Sequence, residues 1–304
     1  MPTATIVSDV YPSRVQGVAS ILPRHDPVVY GSGSGPLGAG QLQSYEERGF
    51  LQVGDVLAED EVNAIVDDLV AFTSRPEVRA DERTIVEPAS DEVRSVFEVH
   101  RINETIGRLA ADERIAGVAR QILGSEVYVH QSRVNFKPAF KGKEFAWHSD
   151  FETWHAEDGM PRMRALSISV SLTHNFTYNG PLMLIPGSHR SFVTCVGQTP
   201  EDNYKQSLKR QDLGSPDPAS MVKLLEDAGG EIAECTGGPG GITVFDCNTM
   251  HGSNSNISPI PRSNVFIVYN SVDNALVEPF AAPTRRPEFI AARDFTPVGR
   301  RTAK

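Results

Sequence analysis

A mainly β fold with flanking helices, built as an antiparallel jelly-roll or barrel, is the class this sequence predicts. Three observations lead there. From Glu126 onward the chain breaks into short runs rich in β-branched and aromatic residues. Gly, Asn and Pro turn signals separate these runs, with few helical stretches between them, which disfavours a parallel α/β sheet. One run, ALSISVSL (165–172), alternates strictly: Leu166, Ile168, Val170 and Leu172 against Ser167, Ser169 and Ser171. That two-residue period is a strand with one buried face.

In chain order, residues 1–40 end in GSGSGPLGAG. They read as a partly flexible N-terminal extension, leaving 41–304 as a single domain. AEDEVNAIVDDLVAFTSRP places Val62, Ile65, Val66, Leu69, Val70 and Phe72 at helical steps, with acids in front and Pro76 beyond the end. NETIGRLAADERIAGVARQILG predicts a second helix, with Asn103 as N-cap and Gly124 as its stop. EVYVHQSRVNF is a strand. TYNGPLMLIPGS is an Asn-Gly turn followed by another. GGITVFDC and SNVFIVYNSV supply two more. Residues 195–240 break this rhythm. They are polar, contain one capped helix in SPDPASMVKLLEDAGG, and read as an insertion serving as a lid or a subunit contact. There are no internal repeats.

The chain has 304 residues, 39% of them hydrophobic, which is enough for a substantial core. A net charge of −10 argues against nucleic acid or an anionic membrane as partner. Cys195, Cys235 and Cys247 form no C-x-x-C pair and suit a reducing compartment. No apolar run reaches bilayer length, and MPTATIVSDVYPSR lacks the pattern of a secretory signal. The expectation is a cytoplasmic protein.

The chemistry concentrates in FAWHSDFETWHAEDGMPRMRALSISVSL (145–172). His148-Ser149-Asp150 is an H-x-D motif, and on an extended strand residues i and i+2 share a face. His251, at the end of the strand-like GGITVFDCNTMH, can supply a third ligand. Two histidines and one carboxylate hold one face of an octahedron and leave three positions open, which suits Fe(II). His155 and Glu152 are competing ligands. For His25, His100, His130, His174 and His189 a structural role is the simpler reading. Arg262 lies eleven positions beyond His251, with Ser253 between, at the start of the next strand. Its planar fork can grip a carboxylate in bidentate fashion. Together these residues match the pattern of Fe(II)/2-oxoglutarate dioxygenases.

NGPLMLIPGSH (179–189) resembles a segment of the phytanoyl-CoA-hydroxylase-like branch of those enzymes. The 145–172 run resembles the ectoine-hydroxylase family within it, over about residue 41 to beyond Phe266. The resemblance implies a double-stranded β-helix, cupin-like in form, with Fe(II) on His148, Asp150 and His251. It implies 2-oxoglutarate as cosubstrate against Arg262, Ser253, Lys137 and Asn135, and O2 as oxidant. It puts ectoine against Gln131, Trp154, Thr153, Phe245 and Phe266. The activity implied is hydroxylation to 5-hydroxyectoine with release of succinate and CO2, in compatible-solute biosynthesis during osmotic stress, by a homodimer. Three alternatives stand beside it: a dioxygenase of the same fold acting on another small molecule, a zinc hydrolase or cupin-type isomerase, and a solute-binding barrel without catalysis.

Overall fold

The computed structural model describes residues 8–31, 33–87, 91–207 and 213–301. Its frame is a seven-stranded sheet in the order Phe50–Val53, Ile242–Asp246, Ala165–Ser171, Arg262–Ser271, Val127–Lys137, Glu92–Phe97, Thr84–Glu87. A smaller sheet runs Ala233–Cys235, Leu182–Leu184, His251–Ser253, Phe145–His148. All these pairings are antiparallel. Leu182, Leu184 and Cys235 of the smaller sheet pack with Phe50, Phe245 and Phe266 of the larger, so the sheets meet face to face as in a jelly-roll.

The outer face of the large sheet is covered by helices. Val62, Ile65, Leu69 and Phe72 from the helix Glu59–Thr73 join Ile106, Val118 and Ile122 against Ile168, Val170, Val265 and Ile267. This is the face that the apolar half of ALSISVSL predicts. The serine half differs from the expectation of one buried face, because Ser167, Ser169 and Ser171 are buried as well. They point between the two sheets and are satisfied there: Ser169 Oγ accepts from Asn264 Nδ2 (2.9 Å), and Ser171 Oγ from Asn175 Nδ2 (2.9 Å). A buried hydroxyl with a partner costs little, so binary patterning mistook a polar interior for solvent.

The single helix expected over 103–124 is two, Glu104–Ala110 and Ala116–Leu123. Asn103 caps the first by accepting from Ile106 N, and Gly124 ends the second in the left-handed region. The break comes from Asp112, whose Oδ1 accepts the backbone N–H of Arg114 at 2.8 Å. Such a local bond competes with helix continuation. Residues 8–31 lie on the barrel, where Ile21–Pro23 pairs with Ser191–Val193 and Tyr11 is fully buried. Within 195–240, Asp217 caps the helix Pro218–Asp227, and the strand Ala233–Cys235 completes the smaller sheet.

Gly159 closes the helical stretch that follows Asp150, at φ +78°. A Cβ there would lie 2.1 Å from the carbonyl oxygen of Val277. Gly159→Ala should therefore lower the unfolding free energy by about 2 kcal/mol or more, from left-handed strain and backbone clash. Gly54→Ala, where a Cβ would meet nothing within 4 Å, should stay within about 0.5 kcal/mol. Urea unfolding midpoints of the two variants test this, and equal midpoints would refute it.

Candidate metal centre and its cavity

The centre is assembled by strand register. His148 ends the strand Phe145–His148, His251 opens the strand His251–Ser253, and the two residues are direct antiparallel partners. Their rings lie 4.1 Å apart. His251 thus begins its own strand; it does not end the strand before it, which stops at Asp246. Asp150 is likewise not on a strand. Ser149 is extended (φ −104°, ψ 129°), and Asp150 is the first residue of a short helix, Asp150–Thr153. That helix is pinned from behind, because Phe151 N donates to Cys247 O (2.8 Å) and Ser149 Oγ to Asn248 Oδ1 (2.9 Å).

Each ring is oriented by its own chain. His148 Nδ1 lies 2.8 Å from Ala146 O, and His251 Nδ1 lies 2.9 Å from Thr249 O. A carbonyl only accepts, so each Nδ1 carries a proton and Nε2 is the ring atom that faces a ligand. Those Nε2 atoms stand 3.6 Å and 3.9 Å from the two Asp150 oxygens. One donor atom from each of the three residues lies within 4.8 Å of the others. Ser167 Oγ donates to Asp150 Oδ2 at 3.2 Å, giving the serine face its role. Burial pushes the Asp150 carboxyl up, but His251, His148 and Arg133 outweigh it and hold it well below the usual carboxylate range. Burial and the neighbouring His148 push His251 down to about 4, so its ring is neutral and ready to ligate at physiological pH. The donor set fits a ferrous ion.

These side chains open into a cavity of about 420 Å³, which also receives Gln131, Arg133, Asn135, Lys137, Thr153, Trp154, Ser253, Arg262 and Phe266. Arg262 is 7% exposed, and its Nε and Nη1 have no hydrogen-bond partner among the described residues. Burial depresses it to about 10. Lys137 faces it across the strand pair and donates to Ser253 Oγ (2.9 Å) and Asn254 O (2.6 Å). Burial, with Arg262 and Arg94 nearby, lowers Lys137 to about 7. Asn135 Oδ1 accepts from Ser95 Oγ at 2.7 Å. A buried guanidinium with orphaned donors, beside a second desolvated cation, forms a receptor for a carboxylate.

Gln131, Thr153 and Trp154 line another part of the cavity. Gln131 Nε2 donates to Ile290 O (2.8 Å), and Trp154 is 3% exposed with its ring edge-on to His130. Phe245 is not on the wall; it backs His251, ring to ring at 5.0 Å. Neither competing ligand reaches the centre. Glu152 is taken by Arg14, while His155 bonds Met160 O and Asp9 and stacks on Phe280.

Sequence reasoning missed Arg133. Its guanidinium sits 5.1 Å over the Phe266 ring, and its buried Nε has no partner among the described residues. Burial lowers its affinity for a proton, opposed by Asp150. Strand parity with Gln131, Asn135 and Lys137 is the signal that could have found it. Glu157 and Arg286 also reach the cavity, from positions with no local motif.

Over residues 45–264 the chain matches the family described as Phytanoyl-CoA dioxygenase (PhyH). It is 56% identical over 299 residues to the ectoine dioxygenase of Streptomyces coelicolor, covering 97% of this chain and 99% of that protein. It is 57% identical over 287 residues to the ectoine dioxygenase of Bordetella bronchiseptica, covering 94% and 92%. Among solved structures it is similar to EctD from S. alaskensis with 2-oxoglutarate and 5-hydroxyectoine, with TM-score 0.88, 45% identity, and 97% and 99% of the two chains covered. The crystal structure of the same protein with bound Fe gives TM-score 0.87 at 44% identity, with the same coverage.

His148→Ala and Asp150→Asn should each lower Fe(II) affinity by about 100-fold or more, while far-UV circular dichroism stays that of the parent. Anaerobic metal titration reads this, and retained affinity in a folded variant would remove these residues from the centre.

Proposed function

The chain belongs to the phytanoyl-CoA dioxygenase family, and from that premise we propose that it hydroxylates ectoine to 5-hydroxyectoine, using Fe(II), 2-oxoglutarate and O2. The observation that carries this reading is the pairing of a His148–Asp150–His251 cluster with a buried, unpartnered Arg262 on the wall of the same cavity. A zinc hydrolase or cupin-type isomerase has use for the first but not the second. Bound iron supplies the redox chemistry, coupling oxidative decarboxylation of 2-oxoglutarate to succinate and CO2 with insertion of one oxygen atom into a C–H bond.

The protein's own residues bind and orient. His148, Asp150 and His251 hold the metal, with Nδ1 of each ring tied to a backbone carbonyl so that the ring cannot turn away. Arg262 grips the distal carboxylate of 2-oxoglutarate, assisted by Ser253, Lys137 and Asn135. Ectoine is a cyclic amidine bearing a carboxylate. Its delocalised cation stacks on Trp154, a contact contributing about 0.5–2 kcal/mol depending on desolvation, and its carboxylate meets Arg133. Gln131, Thr153 and Phe266 complete the pocket, and Phe245 supports it from behind His251. The aromatic walls exclude water and present one ring C–H bond to the metal.

We further read residues 41–304 as one catalytic domain with an insertion at about 195–240, acting as a homodimer in the cytoplasm and serving compatible-solute synthesis under osmotic stress. Among the described residues no helix is long and apolar enough to cross a membrane.

Incubation with Fe(II), 2-oxoglutarate, O2 and ectoine should yield a product heavier by one oxygen atom, with one succinate formed per product. Mass spectrometry decides: no oxygen gain, alongside turnover of another small molecule, would reject the substrate.

A pH dependence follows from Lys137. In the anion-free protein it loses its proton near pH 7, and an anion favours the charged form. 2-Oxoglutarate affinity should therefore be flat below about pH 6 and fall by up to about tenfold per unit as pH rises past 7. In Lys137→Met that slope should vanish. Anaerobic titrations of the metal-loaded protein measure both, and an unchanged slope in the variant would dismiss the lysine.

A further inference from the structure

Residues 150–158 form a short helix, Asp150–Thr153, continued by a π-helical turn, Trp154–Asp158. The stretch delivers Asp150, Thr153 and Trp154 to the cavity. Its two ends are held differently. At the Asp150 end the anchors are the metal partners, Ser167 and the Phe151 N–Cys247 O bond. At the Trp154 end Arg286 holds Asp158, His155 holds Asp9, and Ala281 N bonds Ala156 O. Arg14, from the N-terminal segment, adds the contact that spans both sides of Thr153 and Trp154. Arg14 Nε lies 2.7 Å from Glu152 Oε1, Nη2 lies 3.0 Å from Glu152 Oε2, and Nη2 also lies 3.1 Å from Glu157 Oε1. Ser13 Oγ donates to Glu152 Oε1 at 2.5 Å.

The same guanidinium reaches the 195–240 segment, because Nη1 donates to Thr199 Oγ1 at 3.2 Å and Asn203 donates to Glu157 at 2.7 Å. Gly214 packs so close that a Cβ would stand 2.6 Å from Glu152 Oε2 and 3.1 Å from Arg14 Nη2. Arg14 is 6% exposed and holds φ +56°, a conformation unusual for a side-chain-bearing residue. A strained backbone persists when its surroundings over-determine it. Here the surroundings are the two carboxylates that flank Thr153 and Trp154 in sequence.

We propose that Arg14 is a positioning residue for the substrate: by clamping Glu152 and Glu157 it fixes the rotation of the 150–158 stretch, and with it the angle at which Trp154 and Thr153 face the cavity. The proposal rests on the reading of Trp154 as substrate-facing. Since the Asp150 end is anchored separately, loss of the clamp loosens the substrate side and leaves the metal and cosubstrate side in place.

Arg14→Met removes the fork, and Arg14→Lys keeps the charge without it. In both, KM for ectoine should rise, by about tenfold or more in Arg14→Met. KM for 2-oxoglutarate and Fe(II) affinity should stay within about twofold. Arg14→Lys should recover part of the ectoine affinity. A second readout needs neither metal nor substrate. The chain has two tryptophans, so in a Trp147→Phe background only Trp154 emits, and its quenching by acrylamide should increase when Arg14 is replaced. Should Arg14→Met fail to fold, Arg14→Lys decides on both readouts. Unchanged ectoine KM and unchanged quenching in a folded variant would overturn the proposal, as would parallel losses of ectoine, 2-oxoglutarate and iron binding. A parent protein inactive on ectoine would defeat the substrate assignment alone, and the quenching comparison would still judge Arg14.

Discussion

The direct pairing of His148 with His251 across two antiparallel strands is the constraint from which the site follows. Backbone hydrogen bonding sets it, so the separation of the two rings is as rigid as the sheet itself. The two Nδ1–carbonyl contacts then remove ring rotation, leaving Asp150 as the one donor whose position depends on a different kind of structure. The chain meets that need with an abrupt change from extended Ser149 to helical Asp150. A continued strand would run on along the sheet edge, whereas the helix turns Trp154 back over the cavity.

The cavity wall is charged in a way that costs the empty protein. Arg262, Arg133 and Lys137 are all pushed toward their neutral forms by burial, which is the signature of cations removed from water before their anions arrive. On the proposed reading, two anionic groups, one on the cosubstrate and one on the substrate, would relieve two separate parts of this wall. Binding energy is thus stored as electrostatic preorganisation in the strands Val127–Lys137 and Arg262–Ser271, which are neighbours over their whole length.

Much of this was legible in the chain, and the misses have physical reasons. The H-x-D motif led to two side chains that do converge, although strand parity was the wrong local geometry for Asp150. The register between His148 and His251 is a long-range pairing with no local signature. Arg133 was overlooked because an arginine on a strand reads by default as a solvated cation, yet its parity with Gln131, Asn135 and Lys137 puts four polar side chains on one face of a central strand. The serines of ALSISVSL were assigned to solvent by the same default. In both cases the polar face of a strand lines an interior that holds polar ligands, where binary patterning points the wrong way. The helix break at Asp112 was readable as a side chain competing for backbone N–H groups. The contacts of Arg14 and Arg286 were not, since each joins segments far apart in sequence.

The buried arginines sort themselves by partner, and the sorting separates scaffold from site. Arg14 faces Glu152 and Glu157, Arg24 faces Asp246, and Arg286 faces Asp158 through two short bonds. Each of these guanidiniums is closed by one or two carboxylates, and rupture would leave an uncompensated buried charge. Arg262 and Arg133 make no carboxylate ion pair among the described residues: Arg262 Nε and Nη1 and Arg133 Nε are buried without a partner, while Arg133 Nη1 reaches Gln131 Oε1 at 3.5 Å and feels Asp150 only at longer range. A fold that can neutralise three buried guanidiniums internally does not leave two more open through want of acids, since Glu and Asp outnumber Lys and Arg by 39 to 29. The open pair marks where charge is meant to come from outside, and both members line the cavity entered by His148, Asp150 and His251. Under the proposed function those outside charges are two carboxylates, one on the cosubstrate and one on the substrate, held on one wall beside one metal.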